Sequence, residues 1–214
     1  MSTPSGLGEP VTFSAQRGEF TVHLQGVRGS AELVLALAGR FRAASGHILS
    51  LGHATDERAL RERVVVGRVV DAVEPEPRLT VGEYLNSQAA LQRRTGARRA
   101  APACLDLVGL DLSALRTTVE RLSPADVIRV CAAAGLQVQP TAVVIDRADR
   151  GLLDEEWRAL AADLARAGTA TGVAIVVTST RPIPATPDVG LTAPTDEVTA
   201  VAPSDDEDRE GGWA

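Results

Sequence analysis

Two apolar segments separated by a helical stretch constrain the fold of this chain most. Residues 141–146 and 172–178 are short runs rich in Val, Ile and Ala, and the first ends in Asp146. Between them, residues 154–167 are predicted as a helix. A strand, a helix and a second apolar strand make up the parallel βαβ pattern. We therefore expect an α/β protein.

The rest of the chain also alternates between short strands and helices. Residues 11–14 and 20–24 are apolar or alternating, and the polar segment 16–19 between them predicts a hairpin turn. The β-branched run 64–70 predicts a buried strand, and Thr80 with Glu83 fits a helix-capping box. Further helices are predicted at residues 33–41, 81–93, 104–110 and 124–134, and a further strand at residues 48–52.

Composition divides the chain into one domain and two end segments. Residues 1–10 are rich in Gly, Pro and Ser and are predicted to be flexible, and residues 11–180 form the domain, with a helical subdomain at about residues 79–134. Residues 181–214 are predicted to be a disordered acidic tail. Four arginines at residues 93–99 predict a solvated loop, with a dock for an acidic partner as the alternative.

Charge and apolar patterning exclude several classes of protein. The net charge of -6 argues against nucleic acid as the main partner. No apolar run approaches the ~20 residues that a membrane-spanning helix needs, and residues 1–10 lack the features of a signal peptide. Cys104 and Cys131 have no metal-site spacing, so we expect buried thiols in a reducing compartment.

Several segments, taken in order, resemble the ATP-binding domain of ATP-binding cassette (ABC) transporters. Residues 17–26 resemble the strand that enters that family's phosphate loop, and residues 35–39 and 45–52 resemble its first helix and next strand. Residues 77–85 are similar to its PRLTVxENL stretch, and residues 105–110 match its LxLVGL helix. The resemblance, from Val11 to Thr180, implies a P-loop NTPase-like ABC ATPase fold, α/β with a mixed sheet and a small helical subdomain.

The phosphate loop departs from the family's G-x-x-G-x-G-K-S-T at the positions that contact nucleotide. Lysine is absent from the whole chain, and its position in the loop holds Glu32, while the magnesium-binding Ser or Thr is Leu33. A carboxylate about 4 Å from a phosphate charge costs about 4 kcal/mol at an effective dielectric of 20. The vestigial loop consists of Gly26, Arg28, Gly29, Ser30, Ala31, Glu32 and Leu33.

A second interpretation gives Glu32 a stabilising role at the start of the helix. A helix N-terminus attracts anions through its free N–H groups and its dipole. We hypothesise that Glu32 replaces the phosphate there as an internal anion. The alternative is an ordinary surface glutamate in the first helical turn.

The resemblance places two further motifs, both altered. The signature L-S-G-G-Q falls on residues 122–126, where Leu122 and Ser123 remain and both glycines are gone; Ser123 can cap a helix that Pro124 begins. Asp146 matches the magnesium-orienting Walker B aspartate, but the favoured interpretation is a strand-end carboxylate that pairs with a neighbouring arginine or caps a turn. The next position, where active members carry the catalytic glutamate, is Arg147, which cannot act as a base and is expected to pair with Asp146 or another carboxylate.

The remaining catalytic positions are also replaced. The D-loop aspartate falls on Leu153, the switch histidine on Ser179, and the glutamine of the glutamine loop on Asp71. Asp154 is interpreted as the N-cap of the following helix.

These replacements predict a protein that does not hydrolyse ATP, because the missing groups act as a unit. We expect no cofactor and no bound metal, with weak binding of ATP and magnesium as the disfavoured alternative. The resemblance implies a cytoplasmic protein at the inner face of a membrane, a scaffold or regulator of a membrane permease-like protein or an active ATPase. Dimerisation with a like or unlike chain is implied too. Two alternatives stay open: a subunit whose ATP hydrolysis is completed in a heterodimer, and a free cytosolic interaction protein.

Overall fold

The computed structural model describes residues 11–12, 14–24, 29–42, 48–50, 53–92 and 97–184. The predicted flexible segment 1–10 and most of the predicted acidic tail lie outside them. Two 3₁₀ helices span Leu112–Arg116 and Val119–Arg121. The regular elements are β1 (Phe20–Leu24), α1 (Ser30–Leu37), β2 (Leu49–Ser50), β3 (His53–Ala54), α2 (Glu57–Arg63), β4 (Val64–Arg68), α3 (Val81–Leu91), α4 (Ala97–Leu107), α5 (Pro124–Leu136), β5 (Ala142–Ile145), α6 (Asp154–Thr171) and β6 (Ala174–Ser179).

Four parallel strands form the central sheet, in the order β1-β6-β5-β4. β5 pairs in parallel with β6, with Val143 opposite Ile175, so the predicted βαβ unit and the α/β class are confirmed. The sequence predicted a mixed sheet, but the antiparallel pair found among the described residues is not part of the central sheet. β2 pairs with β3 in a small two-stranded sheet.

The predicted N-terminal hairpin is wrong. Val11, Thr12 and Ser14 are not in a strand, although a turn does lie at residues 17–18. β1 instead pairs in parallel with β6. Every residue of β6 is buried, so its backbone groups on that side need hydrogen-bond partners away from water, and β1 provides them as the edge strand.

Alternation along the strands divides the core into two layers. Val143 and Ile175 join the large cluster under α3 to α6, whereas Val144 and Val176 join the cluster under α1 and α2. Successive strand side chains point to opposite faces, so both faces of the sheet are covered by helices. This explains why β5 and β6 are continuously apolar.

The predicted helices are present, and their ends follow from capping groups. Thr80 and Glu83 form the predicted capping box at α3, and the Ser123 hydroxyl accepts from the Asp126 N–H at 3.1 Å, with Pro124 as the first residue of α5. α4 begins at Ala97, well before the predicted residue 104. The end of the arginine cluster is therefore helical, whereas residues 93–96 lie outside the described part.

The described chain continues past residue 180 and contacts the domain. Ile183 packs against the large core cluster, and Arg158 Nε donates to the Pro184 carbonyl at 3.3 Å. The segment 181–184 is therefore attached beside α6.

Both cysteines are free and buried, as predicted. Burial raises the pKa of Cys131 to about 12 and that of Cys104 to about 11. Burial and contact with the Cys131 thiol raise the pKa of Tyr84 well above its ordinary range. These groups therefore serve as apolar packing elements.

We expect neither thiol to react with iodoacetamide in the native protein at about pH 8, because only exposed thiolates react. The raised pKa values also give a stability profile. The unfolded state releases its thiol protons at lower pH than the native state. Each thiol therefore lowers the free energy of unfolding by about 1.4 kcal/mol per pH unit from about pH 9 up to its native pKa, about 11 for Cys104 and about 12 for Cys131. Urea unfolding across this range measures the slope.

The control for this profile is Cys131→Ala, which should reduce the slope between about pH 9 and 10, below the ordinary pKa of tyrosine. An unchanged slope, or alkylation of the native protein at the rate of the unfolded one, would contradict the buried-thiol assignment.

Candidate functional site

The carboxyl ends of the four parallel strands meet at one edge of the sheet. Leu24 lies opposite Ser179, Ile145 opposite Val177, and Arg68 opposite Ile145. In open α/β sheets, ligands bind at this edge. The residues that follow these strands, including Asp146 and Arg147, are therefore the candidate site.

Only the second half of the predicted phosphate loop is described; Gly26 and Arg28 lie outside. Gly29, with φ of 87°, is the N-cap of α1, and Ser30 opens the helix as a buried residue. Glu32 lies in the first turn, followed by Leu33, whose N–H donates to the Gly29 carbonyl at 3.0 Å. The predicted glycine turn into a helix is thus present at Gly29.

The hydrogen-bonded form of the Glu32 hypothesis is not observed. No side-chain hydrogen bond caps α1, and among the described residues none joins the Glu32 carboxylate to that turn. Its negative charge still lies at the positive end of the helix dipole, where a carboxylate is favourable. A phosphate placed at the same terminus would face this charge.

Asp146 is a fully buried carboxylate whose two oxygens both accept hydrogen bonds. Oδ1 accepts from the Thr178 hydroxyl at 2.9 Å, and Oδ2 accepts from the Val70 N–H at 3.1 Å. Asp146 thereby ties the ends of β4 and β6 to its own strand β5. This is the strand-end structural role that the sequence already favoured over magnesium binding.

Arg147 forms the ion pair predicted for it. Its Nε lies 3.5 Å from Asp146 Oδ2, and its Nη2 lies 3.8 Å from Asp71 Oδ2. The backbone of Arg147 is left-handed, with φ of 43°, and its N–H donates to the Thr178 hydroxyl oxygen at 2.8 Å. Thr178 therefore accepts from Arg147 and donates to Asp146.

Asp71, the residue at the glutamine position, lies in a tight turn after β4. Val69 and Val73 exchange backbone hydrogen bonds around it, and Asp71 has φ of 62°. Its carboxylate also pairs with Arg150, at 3.5 Å from Nη1. The turn explains why the strand predicted at residues 64–70 ends at Arg68.

A second cluster lies at the end of β6. Ser179, at the switch position, is fully buried, and its hydroxyl donates to the Arg181 carbonyl at 2.5 Å. The buried Asp149 carboxylate accepts from the Thr180 hydroxyl at 2.5 Å and lies 3.7 Å from Arg181 Nε. Arg181 Nη2 also donates to the Leu152 carbonyl at 2.5 Å.

The predicted N-cap role of Asp154 is wrong. Leu153 is the N-cap of α6, and its N–H donates to the Glu156 carboxylate at 2.8 Å. Asp154 is already the first helical residue, and its carboxylate pairs with Arg181. An acidic side chain in the first helical turn lies at the positive end of the helix dipole, where it is favourable. Leu153, at the D-loop position, is 73% exposed.

The resemblance places magnesium beside Asp146 and a phosphate beside the first turn of α1. Magnesium requires oxygen ligands in near-octahedral geometry, but Asp146 is fully buried and a guanidinium lies 3.5 Å from it. The first turn of α1, where the resemblance places the phosphate, carries the negative charge of Glu32. Among the described residues, no group of His, Cys, Asp and Glu could hold a metal ion.

Sequence reasoning missed Thr178 and Asp149. Thr178 is the penultimate residue of a mostly apolar strand, and Asp149 lies in a charged loop, so neither matched a motif. The one sequence signal for either residue was its position: Thr178 lies near the carboxyl end of β6, and Asp149 lies a few residues after β5. The signature remnant Leu122 and Ser123 does not join these clusters; Ser123 caps α5 and Leu122 packs against the core.

Comparison with solved structures identifies the fold. A putative ABC transporter ATP-binding protein from Pyrococcus furiosus superposes with a TM-score of 0.65 at 16% identity, over 85% of this chain and 88% of that one. CbiO1 from Clostridium perfringens, part of the ABC transporter complex cbiONQ, superposes with a TM-score of 0.64 at 19% identity, over 80% of this chain and 70% of that one.

A third similar structure is the ATP-binding cassette MJ0796, a dimer in a post-hydrolysis state bound to ADP and phosphate. It gives a TM-score of 0.63 at 18% identity, over 85% of this chain and 84% of that one. No protein-family model matches the sequence, and no curated protein matches it either. The parallel sheet, the helices on its two faces and these neighbours together show that the chain has the fold of the ATP-binding cassette of ABC transporters.

Proposed function

We propose that this protein is a non-hydrolysing ABC-type domain that serves as a scaffold or regulator of a membrane permease-like protein or an active ATPase. The observation that carries the proposal is the ion pair between Arg147 and the buried Asp146. At that position the resemblance requires a glutamate to polarise water. A guanidinium cannot accept a proton, so the base is replaced by a structural cation.

The phosphate end of the site supports the same conclusion. Glu32 lies in the first turn of α1 and Leu33 follows it. Repulsion of about 4 kcal/mol per charge pair at an effective dielectric of 20 corresponds to nearly a thousandfold in affinity. Leu33 has no hydroxyl to offer a metal. A nucleotide phosphate is therefore repelled by Glu32, and the magnesium ion that accompanies it lacks a hydroxyl ligand at the same turn.

The proposed partner follows from the fold and from what similar proteins do. CbiO1 is part of a transporter complex, and MJ0796 forms a dimer. None of the described helices is both long and apolar enough to cross a bilayer. The proposed place of the protein is the inner face of a membrane, beside its partner. The helical region of residues 79–115 is the proposed contact, and it carries the exposed side chains of Leu91 and Leu112.

We expect no saturable binding when a fluorescent ATP analogue is titrated into the protein up to millimolar concentration, with or without magnesium, since Glu32 repels phosphate and Leu33 cannot ligate the metal. Fluorescence anisotropy measures the binding. The double variant Glu32→Lys, Leu33→Ser serves as the matched variant, because it restores both groups, and we expect weak binding from it.

Saturable binding to the wild-type protein that unlabelled ATP displaces would overturn this expectation. A heterodimer subunit would then be the better explanation. If no nucleotide binds, co-purification with a membrane protein separates the proposed scaffold from a free cytosolic interaction protein.

A further inference from the structure

Four charged groups at the ends of β4 and β5 form a balanced set. Asp71 and Asp146 contribute two carboxylates, and Arg147 and Arg150 contribute two guanidiniums. Arg147 lies between the two carboxylates, 3.5 Å from Asp146 and 3.8 Å from Asp71. Among the described residues, the Arg150 guanidinium pairs with Asp71, at 3.5 Å. The formal charge of the set is zero.

Asp146 depends on this balance more than Asp71 does. Its side chain is fully buried, whereas that of Asp71 is 77% exposed. The Thr178 hydroxyl and the Val70 N–H that bind Asp146 are neutral. A buried carboxylate without a nearby cation is strongly unfavourable, and among the described residues the cation within 4 Å of it belongs to Arg147.

The backbone of Arg147 supports the same role. A non-glycine residue with φ of 43° is strained, and this strain is maintained where surrounding contacts require it. Here the left-handed turn lets the N–H reach Thr178 at 2.8 Å while the guanidinium reaches Asp146. The guanidinium of Arg147 thus interacts with Asp146 directly, and its backbone N–H does so through the Thr178 hydroxyl. Arg147 Nε is buried and has no hydrogen-bond partner among the described residues, so its interaction with Asp146 is one of charge.

We infer that the Arg147 guanidinium takes the place of a divalent cation beside Asp146, so that this edge of the sheet is assembled and charge-balanced without metal. Adding Mg²⁺ to a set that is already neutral would bring unbalanced positive charge next to a guanidinium. The native protein is therefore indifferent to Mg²⁺. This goes beyond the proposed function, because it concerns the protein without nucleotide.

The test is thermal unfolding of the full chain, without nucleotide, with and without millimolar Mg²⁺. The wild-type midpoint should not respond to Mg²⁺. Arg147→Ala should unfold about 5–10 °C lower, and Mg²⁺ should recover part of this shift by pairing with Asp146. The double variant Arg147→Ala, Asp146→Asn leaves no buried charge at position 146, so Mg²⁺ should leave its midpoint unchanged.

Arg150→Ala is the matched control, because it removes the same charge from the same loop without contact to Asp146. We expect a shift of less than about 2 °C and no response to Mg²⁺. Arg147→Lys, which keeps the charge, should remain near the wild-type midpoint even if Arg147→Ala fails to fold. Mg²⁺ stabilisation of the wild type would overturn the inference, as would an Arg147→Ala midpoint that is unchanged or that Mg²⁺ does not raise.

Discussion

Replacing Gly39 by alanine should lower the free energy of unfolding by about 4 kcal/mol. Gly39 ends α1 in a Schellman motif: its N–H donates to the Ala36 carbonyl at 2.9 Å, and the Arg40 N–H donates to the Leu35 carbonyl at 2.8 Å. Its φ of 64° disfavours any side chain, and a Cβ there would lie 2.3 Å from the Glu57 carbonyl oxygen. Because backbone cannot move aside as a side chain can, α1 and α2 would have to separate.

The matched control is Gly172→Ala at the end of α6. Gly172 has nearly the same φ, 66°, but a Cβ there would meet no atom within 4 Å. Only the backbone cost applies, about 1 kcal/mol. Urea unfolding followed by circular dichroism measures both variants. Equal losses in the two would show that contact with α2 contributes nothing and would contradict the packing described for this helix pair.

Trp157→Ala should lower the free energy of unfolding by about 3–5 kcal/mol, the range found for removing a large aromatic side chain from a core. Trp157 is fully buried in the large cluster, one turn into α6. A loss of this size is a large part of the about 5–15 kcal/mol that holds a typical domain folded. Circular dichroism should be the probe, because the substitution also removes one of the two tryptophans.

Trp157→Phe tests whether volume or polarity decides at this position. The indole N–H of Trp157 is buried and has no hydrogen-bond partner among the described residues, and an unpaired donor costs about 1–3 kcal/mol. Phenylalanine removes that cost while keeping most of the ring, so we expect a change within about 1.5 kcal/mol. A loss as large as that of alanine would mean that the N–H has a partner, such as a buried water.

The parts of the fold that depend on local chemistry could be predicted from the sequence. The apolar runs of β5 and β6 and the capping groups Thr80 and Ser123 gave the correct elements, because burial and N-caps act over a few residues. The pairing of β1 could not be predicted in this way. Whether it forms a hairpin or joins β6 depends on the area that each arrangement buries, and alternation over five residues does not contain that information.

The candidate site divides in the same way. The pairing of Arg147 with Asp146 could be predicted because the two are adjacent in sequence and opposite in charge. Thr178 could not, since a threonine at the end of an apolar strand matches no motif and contacts Asp146 only through the parallel register of β5 and β6. The N-cap of α6 could not be predicted, because Leu153 has none of the side-chain acceptors that mark an N-cap in a sequence.

The charge set around Arg147 works against any attempt to install ATP hydrolysis here by one substitution at a time. Changing Arg147 to glutamate first would leave three carboxylates beside a single guanidinium, that of Arg150, with no metal yet bound to offset them. Restoring the phosphate loop first would leave the guanidinium in the metal's place. Neither step is tolerated or useful alone, so the substitutions must be combined, and their effects will not add.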